Sequence, residues 1–259
     1  MKPEGATTEM QTAADTKETQ PANAAVERRR HERLSVYLRV RWEGMRGRYE
    51  GTVSDISAGG CFILTEGSAA MRELVRLEIE LHTGAWVRVW AEVTNQFAGV
   101  GFGVKYTDFD EEDAGKFKLS LAHTKALKLA TDALKRVDGA FRPAGDNGSY
   151  VPRVERHEYK ALVALALPVV NQTLLELPEC QKKSSLRLSV QAYADLLRVW
   201  AAMSEGMAVS PRHFVESYKC LKDKYRAPAD VLEAMKRADL SPVLTFLRQK
   251  ARIYFTFVS

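Results

Sequence analysis

The sequence predicts an α+β protein: an amino-terminal antiparallel six-stranded β-barrel with a flanking helix, followed by an all-α module. Two observations lead there. Between residues 34 and 106 apolar side chains recur every second position in short runs broken by glycine turns, with no helical stretch between them. Beyond residue 107 the alternation stops and the apolar spacing becomes three to four. Strands that follow one another without crossover helices form antiparallel sheets, and closing such a sheet removes its exposed edges.

Composition sets the outer bounds. The chain has 259 residues, 46% hydrophobic and 27% charged, as in ordinary globular proteins. Its net charge of +5 is a mild bias towards anionic partners, too small to indicate nucleic acid. Three scattered cysteines, Cys61, Cys180 and Cys220, show no metal-ligand or redox spacing and read as idle thiols. The start of the chain carries no apolar signal region, and no apolar run reaches the ~18 residues of a membrane span, so a cytoplasmic protein is expected.

Residues 1–26 hold two lysines against four acids and few large apolar groups. Such a segment cannot offset its ordering entropy by burial, and it is expected to be disordered. Next comes the cationic run Arg28-Arg29-Arg30-His31-Glu32-Arg33. Leu34, Val36, Leu38, Val40 and Trp42 then mark one face of a first strand, and Gly44 and Gly47 a turn. A second strand from Arg48 runs into Asp55-Ile56-Ser57-Ala58-Gly59-Gly60 and resumes at Cys61–Leu64. Val75, Leu77, Ile79 and Leu81 mark the next strand, Val87, Val89, Ala91 and Val93 another, and Val100, Phe102, Val104 and Tyr106 the last.

An acidic stretch, Asp108 to Asp113, opens a helix whose core face is Leu127, Ala130, Leu134 and Val137. Residues 142–150 read as a linker. In the helical half, stops are expected at Pro168, Pro178 and Gly206. Caps are expected at Ser184 or Ser185, and helix starts at Ser210-Pro211 and Ser241-Pro242. The apolar end, Ile253–Val258, must pack somewhere. The expected division is a tail 1–26, a barrel 27–120, a helix and linker 121–150, and a helical module 151–259.

Function centres on the Asp55 segment. In an extended strand Asp55 and Ser57 share one face while Ile56 enters the core, which places a carboxylate and a hydroxyl side by side on an accessible surface. Gly59 and Gly60 permit a close backbone approach. A carboxylate accepts from the N–H groups on the Watson–Crick edge of guanine, and arginine pairs with guanine O6 and N7 or with phosphate. Guanine joined to phosphate is the inferred ligand chemistry.

These residues resemble the PilZ-domain family, receptors for the bacterial second messenger cyclic di-GMP, marked by RxxxR ahead of a small barrel and (D/N)xSxxG on its surface. Arg29 and Arg33 fill the first motif, with Arg28 as an additional arginine, and Asp55, Ser57 and Gly60 fill the second. No other arginine pair in the cluster has that spacing, and the likeness covers roughly residues 27–120. The resemblance implies the barrel and the ligand cyclic di-GMP with Arg28, Arg29, Arg33, Asp55, Ser57 and Gly60 as binding residues; no cofactor is expected. It also implies outputs in motility, surface polysaccharide or virulence.

The expected mechanism is a mobile arginine arm that the ligand fixes against the barrel, docking or releasing the helical module or a partner protein. In that scheme Asp55 and Ser57 hold guanine edges, Gly60 leaves room, and His31 and Glu32 are spacers. Two alternatives stand beside it: an interaction module acting without ligand, and a cyclic di-GMP-regulated nucleic-acid-binding protein, although no helix-turn-helix pattern is evident. Trp86 and Trp90 lie on the polar face of their strand, where packing explains them better than base stacking. Arg153 to Lys160 echoes the arginine motif without its second arginine and reads as helix surface. No nucleophile triad motif, phosphate loop or paired metal ligands occur, so an enzyme is not expected.

Overall fold

Six strands pair in the order β1-β2-β3-β6-β5-β4 and close on themselves, every pair antiparallel: β1 (Leu34–Gly44), β2 (Gly47–Ser57), β3 (Gly60–Leu64), β4 (Leu74–Glu80), β5 (Trp86–Phe97) and β6 (Gly101–Phe109). The structure is a computed structural model that describes residues 31–145, 148–256 and 258. Arg28, Arg29, the segment 1–26 and Phe257 lie outside the described residues. Closure is made by β1 against β4, with Val40 opposite Ile79 and Trp42 opposite Leu77. The alternating residues Val53, Ile63, Leu77, Ile79, Val87, Ala91 and Val93 fill the interior without exposure. Trp42 stacks on Tyr49 at 4.5 Å, and its indole N–H donates to Thr65 Oγ1 at 3.3 Å, which satisfies the one polar atom it buries. Val100, expected on the last strand, instead lies in the turn before it and is exposed.

Helix α1 (Glu111–Asp138) belongs to two cores. Its first turns put Phe117 against Tyr106 and Phe109 in the barrel core, with ring centroids 5.3 and 4.9 Å away. Its later turns put Leu127, Ala130, Leu134 and Val137 into the helical core. The backbone N–H of Arg88 on β5 donates to Asp113 Oδ2 at 2.9 Å and pins the start of the helix to the barrel.

The helical region departs from the sequence expectations where long-range contacts override local signals. The expected linker contains a short hairpin, β7 (Phe141–Pro143) with β8 (Tyr150–Pro152). Thr245, far along the chain, anchors it by accepting from Tyr150 N at 2.8 Å and donating to Tyr150 O at 3.2 Å. Helix α2 (Arg156–Glu176) passes through Pro168. Burial of Tyr159, Val163, Ala166, Val170 and Thr173 on one face outweighs the ~3 kcal/mol cost of an interior proline. The stop before Pro178 does occur.

Helix α3 (Gln181–Val209) starts ahead of Ser184 and Ser185, and Ser185 is buried inside it rather than capping it. Gly206, at φ 74°, interrupts it near the expected end. Helix α4 (Pro211–Lys219) starts at Ser210-Pro211 and runs into a π-helical turn, Cys220–Lys224. Helices α5 (Ala229–Lys236) and α6 (Leu240–Thr256) complete the bundle, α6 starting one residue ahead of Ser241. At the apolar end Val258 is buried and Phe255 packs partly against the helical core, whereas Ile253 is exposed.

Candidate functional site

Two β-bulges build the site. Register slips between Ser35 and Leu38 on β1 and between Val53 and Asp55 on β2. A bulge adds one residue and re-aims the side chains beyond it. Val53 and Ile56, three apart, therefore both face the interior, while Asp55 turns outward, its side chain 28% exposed. Across the sheet Asp55 stands opposite Ser35 on one side and Phe62 on the other, and directly paired residues present their side chains on the same face. Phe62 is half-buried and meets the exposed ring of Phe97 edge-on at 5.7 Å. The carboxylate thus stands beside an aromatic wall that no sequence motif indicated.

The residues just ahead of β1 lie over this surface. Arg33 Nη1 donates to Asp55 Oδ1 at 3.0 Å, joining positions 22 residues apart. The structure thereby brings together two of the six residues singled out in the sequence. His31 and Glu32, read as spacers, are contact residues. The ring of His31 lies so close to Gly59 that a Cβ there would come within 2.8 Å of His31 Cδ2. Glu32 pairs with Lys125 at 2.9 Å and Lys128 at 3.6 Å, both on α1. The Lys125 ammonium bonded to it holds the Glu32 carboxyl below the usual carboxylate range.

Ser57 and Gly60 occupy the expected positions with different surroundings. Ser57 is buried, and its hydroxyl is engaged within the turn, donating to Gly60 O at 3.1 Å and accepting from Gly59 N at 3.3 Å. The accessible hydroxyl expected from strand alternation is absent, because the chain is already turning there. At Gly60 a Cβ would lie 2.0 Å from the Val104 carbonyl oxygen, so the missing side chain makes room for strand β6. The glycine beneath the arm is Gly59.

Behind the shelf, Cys61 is fully buried, and burial pushes its thiol up to about 12. Trp86 carries Arg41 over its ring at 4.7 Å, and Trp90 is exposed. Arg156 belongs to α2, where it pairs with Glu205 at 3.8 Å. Among the described residues no cluster of three or more His, Cys, Asp or Glu side chains could hold a metal ion, and no helix is long and apolar enough to cross a membrane.

Residues 27–122 match the family model of the PilZ domain, as the two motifs lead one to expect. No curated protein matches the chain significantly. Among solved structures, the inhibitor of motility MotI/DgrA of Bacillus subtilis is 22% identical over 35% of this chain, with a TM-score of 0.31; the match spans 47% of that protein, less than half its length. The PilZ domain of CeSA from a cellulose-synthesizing bacterium is 17% identical, covering 32% of this chain and 88% of that one, TM-score 0.28. The PilZ domain of YcgR from Escherichia coli, solved with c-di-GMP, is 14% identical, covering 36% and 87%, TM-score 0.29.

Proposed function

We propose that the protein is a cyclic di-GMP receptor and adaptor, a binding module without catalytic activity, whose ligand is received between the arginine arm and the Asp55 shelf. In this reading the barrel, residues 27–120, reads the ligand and the helical module, 151–259, carries the response. One observation carries it: the Arg33 guanidinium reaches Asp55 across 22 residues of chain at 3.0 Å, so cation and carboxylate face one small volume. The PilZ match over the same residues supports the choice of ligand.

On binding, Asp55 accepts from the guanine N–H edge, and Arg33 turns from the carboxylate to guanine or phosphate oxygens. Arg29 and Arg28, by their positions in the arginine motif, add further cations. Ser57 acts by holding the turn, and Gly60 by letting β3 and β6 pair. Opening the Arg33–Asp55 pair costs little, since exposed ion pairs contribute about 0–1 kcal/mol. A micromolar ligand contributes about 8 kcal/mol, ample to exchange one partner for another.

Calorimetric titration with cyclic di-GMP tests the reading. Arg33→Ala and Asp55→Ala are each expected to weaken binding about 30- to 150-fold, as loss of a charge-assisted contact of roughly 2–3 kcal/mol implies, at a cost in stability under about 1 kcal/mol. Wild-type protein giving no heat at high micromolar ligand would exclude this function.

A further inference from the structure

We propose that Glu32 and the Lys125/Lys128 pair form a charge latch that sets the resting position of the arginine arm and links ligand binding to helix α1. The inference rests on the cyclic di-GMP reading for its ligand, and on geometry alone for the latch. Three consecutive residues grip three different places: His31 the Gly59 turn, Glu32 helix α1, and Arg33 Asp55. Neighbouring Cα atoms are only ~3.8 Å apart, so any shift of the arm's backbone at Arg33 is also a shift at Glu32.

Lys125 and Lys128 are three apart on α1, one turn of the same face, and both reach the single Glu32 carboxylate. No other ion pair engages either lysine among the described residues. Leu127 between them and Ala130 just beyond are packed in the helical core. A displacement of Glu32 therefore acts on a stretch of helix that is part of the bundle. Because all three groups are about half exposed, the latch is weak and reversible, which suits a switch.

The sign of the effect separates a latch from simple electrostatics. Cyclic di-GMP is an anion, so removing two nearby lysines without a latch would weaken binding. With the latch, the closed arm competes with ligand, and releasing it raises apparent affinity. The Lys125→Met/Lys128→Met variant of the 259-residue chain is expected to bind cyclic di-GMP about two- to fivefold tighter, the scale of an exposed ion pair. The swap Glu32→Lys with Lys125→Glu/Lys128→Glu is expected to return affinity to within about twofold of wild type.

Hydrogen exchange supplies a readout independent of ligand. Without ligand, amides 32–36 are expected to exchange faster in the double-Met variant and to regain protection in the swap. With ligand, exchange at 122–130 is expected to change in wild type and not in the double-Met variant. Weaker binding, or unchanged exchange at 32–36, overturns the latch. If wild-type protein shows no heat, the ligand assignment fails, and the ligand-free exchange still decides whether the arm is latched.

Discussion

On the barrel, ion pairs stand at the surface: Arg33 with Asp55, Arg41 with Glu50, Arg88 with Glu78, each with solvent on at least one side. In the helical bundle two acids sit within the packing. Asp138 accepts from Arg248 at 2.8 Å and from the Tyr193 hydroxyl at 3.1 Å, with Arg248 itself 5% exposed and lying over the Tyr150 ring at 3.7 Å. Asp195, 5% exposed, gathers Lys224 at the end of the π-helical turn and Tyr225 just after it. Exposed pairs exchange partners at little cost, whereas a buried pair broken on one side leaves a charge in a poor solvent. The exposed pairs of the barrel can therefore exchange partners, while Asp138 and Asp195 fix the geometry of the bundle.

The largest test of that contrast sets one aspartate against another. Asp138→Ala is expected to destabilise the protein by about 3–5 kcal/mol, because Arg248 remains buried without its carboxylate. Asp55→Ala is expected to cost under about 1 kcal/mol. Equal losses in urea unfolding would break the comparison. Next in size, Gly60→Ala is expected to cost about 1–3 kcal/mol through collision with the Val104 carbonyl. Gly59→Ala, which meets the His31 ring alone, is expected to stay within about 0.5 kcal/mol of wild type while shifting the arm, read as faster exchange at amides 32–36. Smallest, and without effect on stability, is the order of thiol labelling at pH 8. Exposed Cys180 is expected to react first and half-buried Cys220 more slowly. Buried Cys61, its thiol raised to about 12, is expected to react only after unfolding. Early labelling of Cys61 would mean that the barrel opens more readily than its packing implies.

The two regions also differ in how far they could be read from sequence. Alternation from Leu34 to Trp42 and from Val87 to Val93 is a local signal, and it survives because one face of each strand is buried and the other wet. In the bundle, Pro168 and Ser184 carry local signals that the packing of α2 and α3 overrides. The site divides the same way. Asp55 and Arg33 stand out by residue type and spacing. The parts played by Glu32, Lys125 and Lys128 do not, because a Glu between arginines and two lysines in a helix are ordinary until the fold brings them within 4 Å. Ser57 was misplaced because the two-residue period stops holding where a strand bends into a turn.

By itself the order of side chains determined the six barrel strands, the helical character of the second half, and that cations precede an acidic shelf, since these follow from the period of burial and the chemistry of single residues. Only the tertiary structure decided that β1 closes on β4, that α1 joins two cores, and which glycine lies beneath the arm. Those outcomes depend on distances between residues far apart in the chain, and hydrophobic periodicity carries no information about them.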